Sequence, residues 1–272
     1  MKTGLLVGIL LCWQVSAAQP MSWRHLPDTL QHDVRHILTV SGKIIAAPFH
    51  WNAQQWTAVG QTAFLTALVS AGDEQFKQLA LSHRSPFLDQ IFSLDNYHGS
   101  KTSGVLGVTA YTAGLLFNKP TLRRTGLQAI EAFYLSGTLN LLLKIVAGRR
   151  RPYAAQSAYE FRPFRGTTEY RSLPSGHVVT AVAVSTVFAR TFRNSLWRVF
   201  WYGSAAIVAG ARVYHNAHWV SDLIPAAVLG YAVGDYVTRF SVPTHRQSNQ
   251  SHSAVQWFWQ IGPGNVQLRL VF

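Results

Sequence analysis

Gly126-Leu127-Gln128-Ala129-Ile130-Glu131-Ala132-Phe133-Tyr134-Leu135-Ser136-Gly137-Thr138-Leu139-Asn140-Leu141-Leu142-Leu143-Lys144-Ile145-Val146 is the longest of six apolar stretches in the chain, and its reading decides the fold class. It is too long for an ordinary strand and has no strict apolar/polar alternation, so it reads as a helix. Residues 57–72, 103–117, 176–189, 196–211 and 222–237 share that character. The expectation is an all-α helical bundle of about six helices. Most stretches are nearer ~15 residues than the ~20 that a bilayer crossing needs, so each is a marginal span that one extra turn into the headgroups would complete.

The connections between stretches are basic: Lys119, Arg123 and Arg124, then Arg190, Arg193 and Arg198, then Arg239 and Arg246. If every helix crosses, these connections share one side, which the positive-inside rule makes cytoplasmic. Residues 147–175 and 211–221 then face outward. The N-terminus conflicts with six crossings. Met1-Lys2, the apolar run 5–15 and Ser16-Ala17-Ala18-Gln19 have the parts of a secretory leader cleaved after Ala18, which leaves residue 19 outside. Either the leader is not cleaved there or one stretch does not cross, and 57–72, broken by Gln61 and ending in Gly72-Asp73, is the candidate to lie along the surface.

Composition alone leaves a membrane protein and a soluble one both open. Of 272 residues 48% are hydrophobic, enough for one core of ordinary size. Charged residues make up 13%, about half the usual globular share, yet mean hydropathy is only +0.09. Lys and Arg outnumber Asp and Glu by 24 to 11, and the net charge of +13 suits anionic partners such as phosphates or anionic lipid. The one cysteine, Cys12, lies in the leader, so a mature chain forms no disulfide.

The domain reading is therefore a signal peptide at 1–18, a lead-in at 19–55 that looks surface-lying, a helical domain at 56–240, and a tail at 241–272. In the tail, 255–261 and 266–272 alternate or carry aromatics around Gly262-Pro263-Gly264-Asn265, the pattern of a β-hairpin.

Three clusters carry chemistry. In the first, Lys144 interrupts an apolar run, which is costly for an ammonium without an anion or a polar cavity, and Arg151 precedes Pro152 with a planar fork suited to an oxyanion. The second is Pro174-Ser175-Gly176-His177, where a helix start offers free amides to an anion and His177 stands as a donor or proton shuttle. The third runs from Arg212 through His215 and His218 to Asp222. A carboxylate four residues on, one helical turn away, would hold one imidazole nitrogen and free the other as a nucleophile. His215 and His218 lack further ligands for a metal site, so no metal is expected.

In their order and internal spacing the clusters resemble the type 2 phosphatidic acid phosphatase family, which includes vanadium haloperoxidases and bacterial acid phosphatases. Lys144 with Arg151-Pro152, then Pro174-Ser175-Gly176-His177, then Arg212, His218 and Asp222 match its three motifs across roughly residues 56 to 240. The one departure is Ala211, where the family usually has serine. The resemblance implies a helical bundle with its site at one end and a phosphatase that needs no metal or other cofactor. His218 would form a phosphohistidine, Asp222 would orient it, and His177 would protonate the leaving alcohol and then activate water. Lys144, Arg151, Arg212, the Ser175 hydroxyl and the Gly176 amide would hold the phosphate oxygens.

Apolar helices beside every motif favour a phosphorylated lipid in a membrane as substrate, and nucleic acid is not an expected partner. The expectation is an exported protein in the cell membrane with its site facing the periplasm or exterior. The alternatives are a soluble periplasmic acid phosphatase, a vanadate-dependent haloperoxidase and a non-catalytic lipid-phosphate binder.

Overall fold

A computed structural model of the chain describes residues 26–192 and 194–240 and the backbone of two strands, 256–262 and 265–271. The leader assigned to 1–18 lies outside the described residues. Two compact units divide after Phe240. In the second, β1 (Gln256–Gly262) and β2 (Asn265–Val271) pair antiparallel, from Gln256 opposite Val271 to Gly262 opposite Asn265.

The first unit is all helical. Its α-helices among the described residues are α1 (Leu26–Ala46), α2 (Ala53–Ser70), α3 (Asp73–Ser82), α4 (Pro86–Phe92), α5 (Lys101–Leu116), α6 (Pro120–Ala147), α7 (Gly176–Thr191), α8 (Ser195–Tyr214) and α9 (Leu223–Arg239). All six expected stretches coincide with helices to within a few residues, but the count of about six is too low. Three helices account for the difference, and each hid for a physical reason. In α1 the inward stripe is Asp33, His36, Val40 and Ile44, helical in spacing but half polar. Val40 and Ile44 pack against Val233 and Val237 of α9, so this part of the lead-in belongs to the bundle and not to its surface. Helices α3 and α4 are short. Helix α4 starts at Pro86 behind a Ser85 hydroxyl that accepts the Leu88 amide, a capped start with too few turns beyond it to show a period.

Helix α7 is the axis, buried from Val178 to Ala189 at every position except Val182. It packs against α6, α8 and α9, and an element apolar on all sides needs such a surround. The approach of α9 is close: a Cβ on Gly230 would lie 2.4 Å from the Val179 carbonyl oxygen, and one on Gly234 2.6 Å from that of Ala183. Small residues there let the two backbones touch. Helix α2 buries no residue. Among the described residues one helix, Pro120–Ala147, is long and apolar enough to cross a membrane.

Candidate active site

The site lies where the end of α6, the start of α7 and the segment after α8 meet. Helix α6 stops at Gly148, whose φ of +57° is left-handed and whose position a Cβ would fill 2.1 Å from the Arg162 carbonyl oxygen. One turn earlier Lys144 extends from the helix, and its Nζ donates to the carbonyls of Arg171 (2.6 Å) and Ser172 (3.1 Å). The buried ammonium thus ties α6 to the segment that leads into α7, and its charge lies within reach of Arg151, Arg171, Arg212 and Asp222.

Helix α7 begins behind Ser175 in extended backbone. Ser175 is fully buried, its amide donates to the Asp222 carbonyl at 3.2 Å, and its hydroxyl neither caps the helix nor finds any other partner. The first-turn amides, Gly176 among them, have no acceptor within the helix. Thr180 fixes this turn by donating to the Gly99 carbonyl at 2.6 Å. The half-buried His177 lies within electrostatic reach of Arg151, Arg212 and Lys144.

The third segment corrects the expected geometry. His218 and Asp222 do not share a regular helix: α8 ends at Tyr214, and Asp222 closes a short 3-10 turn, Val220–Asp222. They still meet, with His218 Nδ1 3.4 Å from Asp222 Oδ2, while His218 Nε2 has no hydrogen-bond partner among the described residues. Oδ2 also accepts the Ser172 hydroxyl (2.5 Å) and the Trp219 amide (3.0 Å). Arg212, in the last turn of α8, is held by Asp95 at 2.7 Å. His215 lies 3.8 Å from the other oxygen of Asp95, so the two histidines serve different carboxylates. No group of three His, Cys, Asp or Glu that could hold a metal occurs among the described residues. Ala211 is fully buried in α8, where a serine hydroxyl would need a partner.

Burial dominates the electrostatics of the pair. It pushes the His218 imidazole down to about 3, aided by the Lys144 and Arg151 charges and opposed by Asp222. Burial alone would raise Asp222, but the hydrogen bond to His218, the Arg149 charge and the Ser172 bond hold its carboxyl below the usual range. The result is a neutral imidazole beside an ionised carboxylate, a nucleophile already deprotonated in mild acid.

All the expected residues, Lys144, Arg151, Ser175, Gly176, His177, Arg212, His218 and Asp222, gather at this one end. The sequence reading missed the layer beneath them. Arg149, not its neighbour Arg151, is the buried structural arginine: its guanidinium donates to Asp222 Oδ1 (2.8 Å), Asp73 Oδ2 (2.8 Å) and the Ser221 hydroxyl (2.7 Å). Ser221 in turn donates to Asp73 through its hydroxyl (2.5 Å) and its amide (3.0 Å). Nothing in Arg149-Arg150-Arg151 tells which side chain turns inward, and Gly72-Asp73 reads simply as a helix end. Above this layer the buried Nε atoms of Arg151, Arg171 and Arg212 and the Ser175 hydroxyl have no partner. Buried donors without acceptors are rare, and their surplus here fits an oxyanion.

Residues 125–246 match the PAP2 superfamily model. A lipid A 1-phosphatase of Rhizobium johnstonii is 36% identical over 97 residues, which cover 35% of this chain and 39% of that protein. The chain therefore spans about two fifths of the length of the first such relatives. Phosphatidylglycerophosphatase B of Bacillus subtilis is 26% identical over 196 residues, 69% of this chain and 84% of the other. A crystal structure of a transmembrane PAP2-type phosphatidylglycerolphosphate phosphatase from Bacillus subtilis shares the fold, with a TM-score of 0.50 at 23% identity over 76% of this chain and 94% of that one. The similarity to the PAP2 superfamily thus runs through residues 125–246, which hold the three clusters and most of α6.

Proposed function

We propose that this PAP2 domain hydrolyses phosphate or pyrophosphate esters of lipids through a phosphohistidine, at a site facing the outer side of a membrane. The observation that carries the reading is the set of unpartnered buried donors, Arg151 Nε, Arg212 Nε and Ser175 Oγ, beside an imidazole whose Nδ1 faces Asp222 and whose Nε2 is free.

With the ester seated on those donors and the first-turn amides of α7, His218 Nε2 attacks phosphorus as the bond to the leaving oxygen breaks. His177, which burial keeps neutral in the free site, takes up a proton as the anionic ester binds beside it and gives that proton to the leaving oxygen. The neutral His177 then takes a proton from water, whose oxygen attacks phosphorus; the P–N bond breaks, inorganic phosphate leaves and His218 is restored. Lys144, Arg151 and Arg212 stabilise the charge on the transferring phosphoryl group, where positioning and electrostatics carry most of the rate.

Helix α6 supports the membrane placement, since it is long and apolar enough to cross. Lys119 before its start and Arg123 and Arg124 in its first turns support a cytoplasmic placement of that end, which puts the Lys144 end, with the site, on the exterior side.

The deciding experiment is phosphate release by the purified protein from lipid A, phosphatidylglycerophosphate, undecaprenyl diphosphate and phosphatidic acid, against a soluble aryl phosphate. The reading expects turnover of at least one lipid to exceed that of the aryl ester, and an acid-labile phosphoprotein that His218→Ala does not form. An active His218→Ala enzyme sinks the covalent scheme. Release of the chain by a carbonate wash of membranes sinks the placement.

A further inference from the structure

The segment between α6 and α7 runs along the site end of the first unit, and its middle is Tyr159-Glu160-Phe161-Arg162-Pro163-Phe164-Arg165. Phe164 is 74% exposed, Tyr159 61% and Phe161 46%. This cluster of exposed aromatics lies off the helices. It is not a loose tip either: the Arg162 amide donates to the Gly148 carbonyl and the Phe164 amide to that of Ile145, each at 2.7 Å. Phe164 has a left-handed φ of 62°, rare for a bulky side chain. The backbone is thus pinned to the end of α6 in a conformation that holds an aromatic ring out from the protein.

The charges of the loop are as lopsided as its apolar surface. The guanidiniums of Arg150, Arg162 and Arg165 stand 5.1 to 5.5 Å from the one ring of Tyr170, itself buried. Glu160 and Glu169 both pair with Arg150. The exposed Arg162 and Arg165 make no ion pair among the described residues. Three cations share one ring, and two of them have no counter-charge.

We propose that this loop is an interfacial dock for an anionic lipid leaflet, in which Phe161 and Phe164 enter the headgroup–acyl boundary while Arg162 and Arg165 take lipid phosphates. Aromatic rings beside arginines suit that boundary, where one part of a side chain is apolar and the other meets charge. The loop reaches the site directly, since the Glu169 carbonyl accepts the Arg151 amide at 2.8 Å. Docking would seat the phosphate cradle at the depth of lipid headgroups. The inference rests on the site facing a bilayer and not on the chemistry at His218.

The test uses the full chain in nanodiscs of phosphatidylcholine alone or mixed with phosphatidylglycerol. Phe164→Cys, in a Cys12→Ser background so that no natural cysteine remains, carries an environment-sensitive fluorophore. The expected result is blue-shifted emission in the anionic discs relative to the neutral ones, a difference lost in the Arg162→Gln/Arg165→Gln variant. In the unlabelled native chain, amide exchange over residues 159–166 should slow in the anionic discs, a readout that needs no substitution. Equal emission and equal exchange in the two discs overturn the proposal. So does a double variant that keeps the difference, or a blue shift produced in detergent by inorganic phosphate alone. Aryl phosphate hydrolysis by the same preparations reports on the catalytic reading separately, because it requires no leaflet.

Discussion

Arg149→Met asks whether the buried layer, and not only the phosphate-facing residues, holds the site. Arg149 is 2% exposed. Its guanidinium meets Asp73 and Asp222 at 2.8 Å each, Ser221 at 2.7 Å, and the Ala158 carbonyl at 2.8 and 3.0 Å. Methionine keeps much of the volume and strands both carboxylates without their cation. Removing one partner of a buried pair costs about 3–5 kcal/mol. At roughly 2–4 °C per kcal/mol for a domain of this size, that is a fall in Tm of order 10 °C in detergent. Adding Asp73→Asn removes one stranded charge and should return ~1–3 kcal/mol, a non-additivity that a double-mutant cycle reads directly. Phosphate release measured well below the new Tm should also drop, because Asp222 loses a charge that keeps it ionised. A Tm within ~3 °C of the native value, less than about 1 kcal/mol, or strictly additive variants, would show that Arg149 does not carry this load.

Asp222→Asn keeps the shape but not the charge that fixes the His218 tautomer, and turnover should fall about 10³- to 10⁴-fold with the fold intact; a variant within tenfold of native contradicts the orienting role. Ser175→Ala removes a buried hydroxyl that has no partner in the free protein. Its Tm should hold or rise slightly while turnover drops roughly ten- to a hundredfold, the loss of one hydrogen bond to a charged group; a fall in both would make Ser175 structural. Acid should destabilise the fold. Burial holds His218 at about 3 and His98 at about 4, both below the ordinary value of 6.5. Between about 6.5 and about 3 the unfolded chain therefore binds more protons than the folded one, and stability rises with pH across that window and levels off above it. A Tm that climbed on acidification from pH 7 to 5 would refute this.

The helices were legible where burial wrote a continuous apolar message. Helix α7 is buried nearly throughout from Val178 to Ala189, and its polar residues there, Thr180, Ser185 and Thr186, are small enough to leave the run apolar. Helix α1 was not legible as part of the bundle, because half of its inward stripe is Asp33 and His36. These pair with Arg123 and Tyr111, and with Glu131, on other helices. A polar residue satisfied by a partner about a hundred positions away looks, locally, like a solvent-facing one. The same holds at the site. The residues proposed to meet the phosphate lie at helix ends or within a few residues of them, and Lys144, Arg151, His177 and His218 were readable from the fixed spacings this imposes. Their supports, Asp73, Asp95, Arg149 and Ser172, come from four separate segments, and only the folded chain brings them under the site.

That hidden layer also sets the charge of the pocket. Five cations surround it: Lys144, Arg149, Arg151, Arg171 and Arg212. Three buried carboxylates answer them: Asp73, Asp95 and Asp222. The division of labour is clean. Arg149 and Arg212 each have carboxylate partners, so their forks are oriented before any ligand arrives. Lys144, Arg151 and Arg171 have none, and Lys144 is held only by carbonyls. With Lys144 protonated and the imidazoles neutral before the ester arrives, the pocket carries an excess of two positive charges, close to the charge of about −2 on a phosphate monoester at neutral pH. Without the acids, five clustered cations, Lys144 and Arg149 of them buried, would repel one another too strongly to hold one geometry; with more acids, the seat would no longer prefer an anion. The carboxylates under the site are what allow so much positive charge to be gathered and aimed, and the surplus they leave matches the charge of the phosphate group proposed as its ligand.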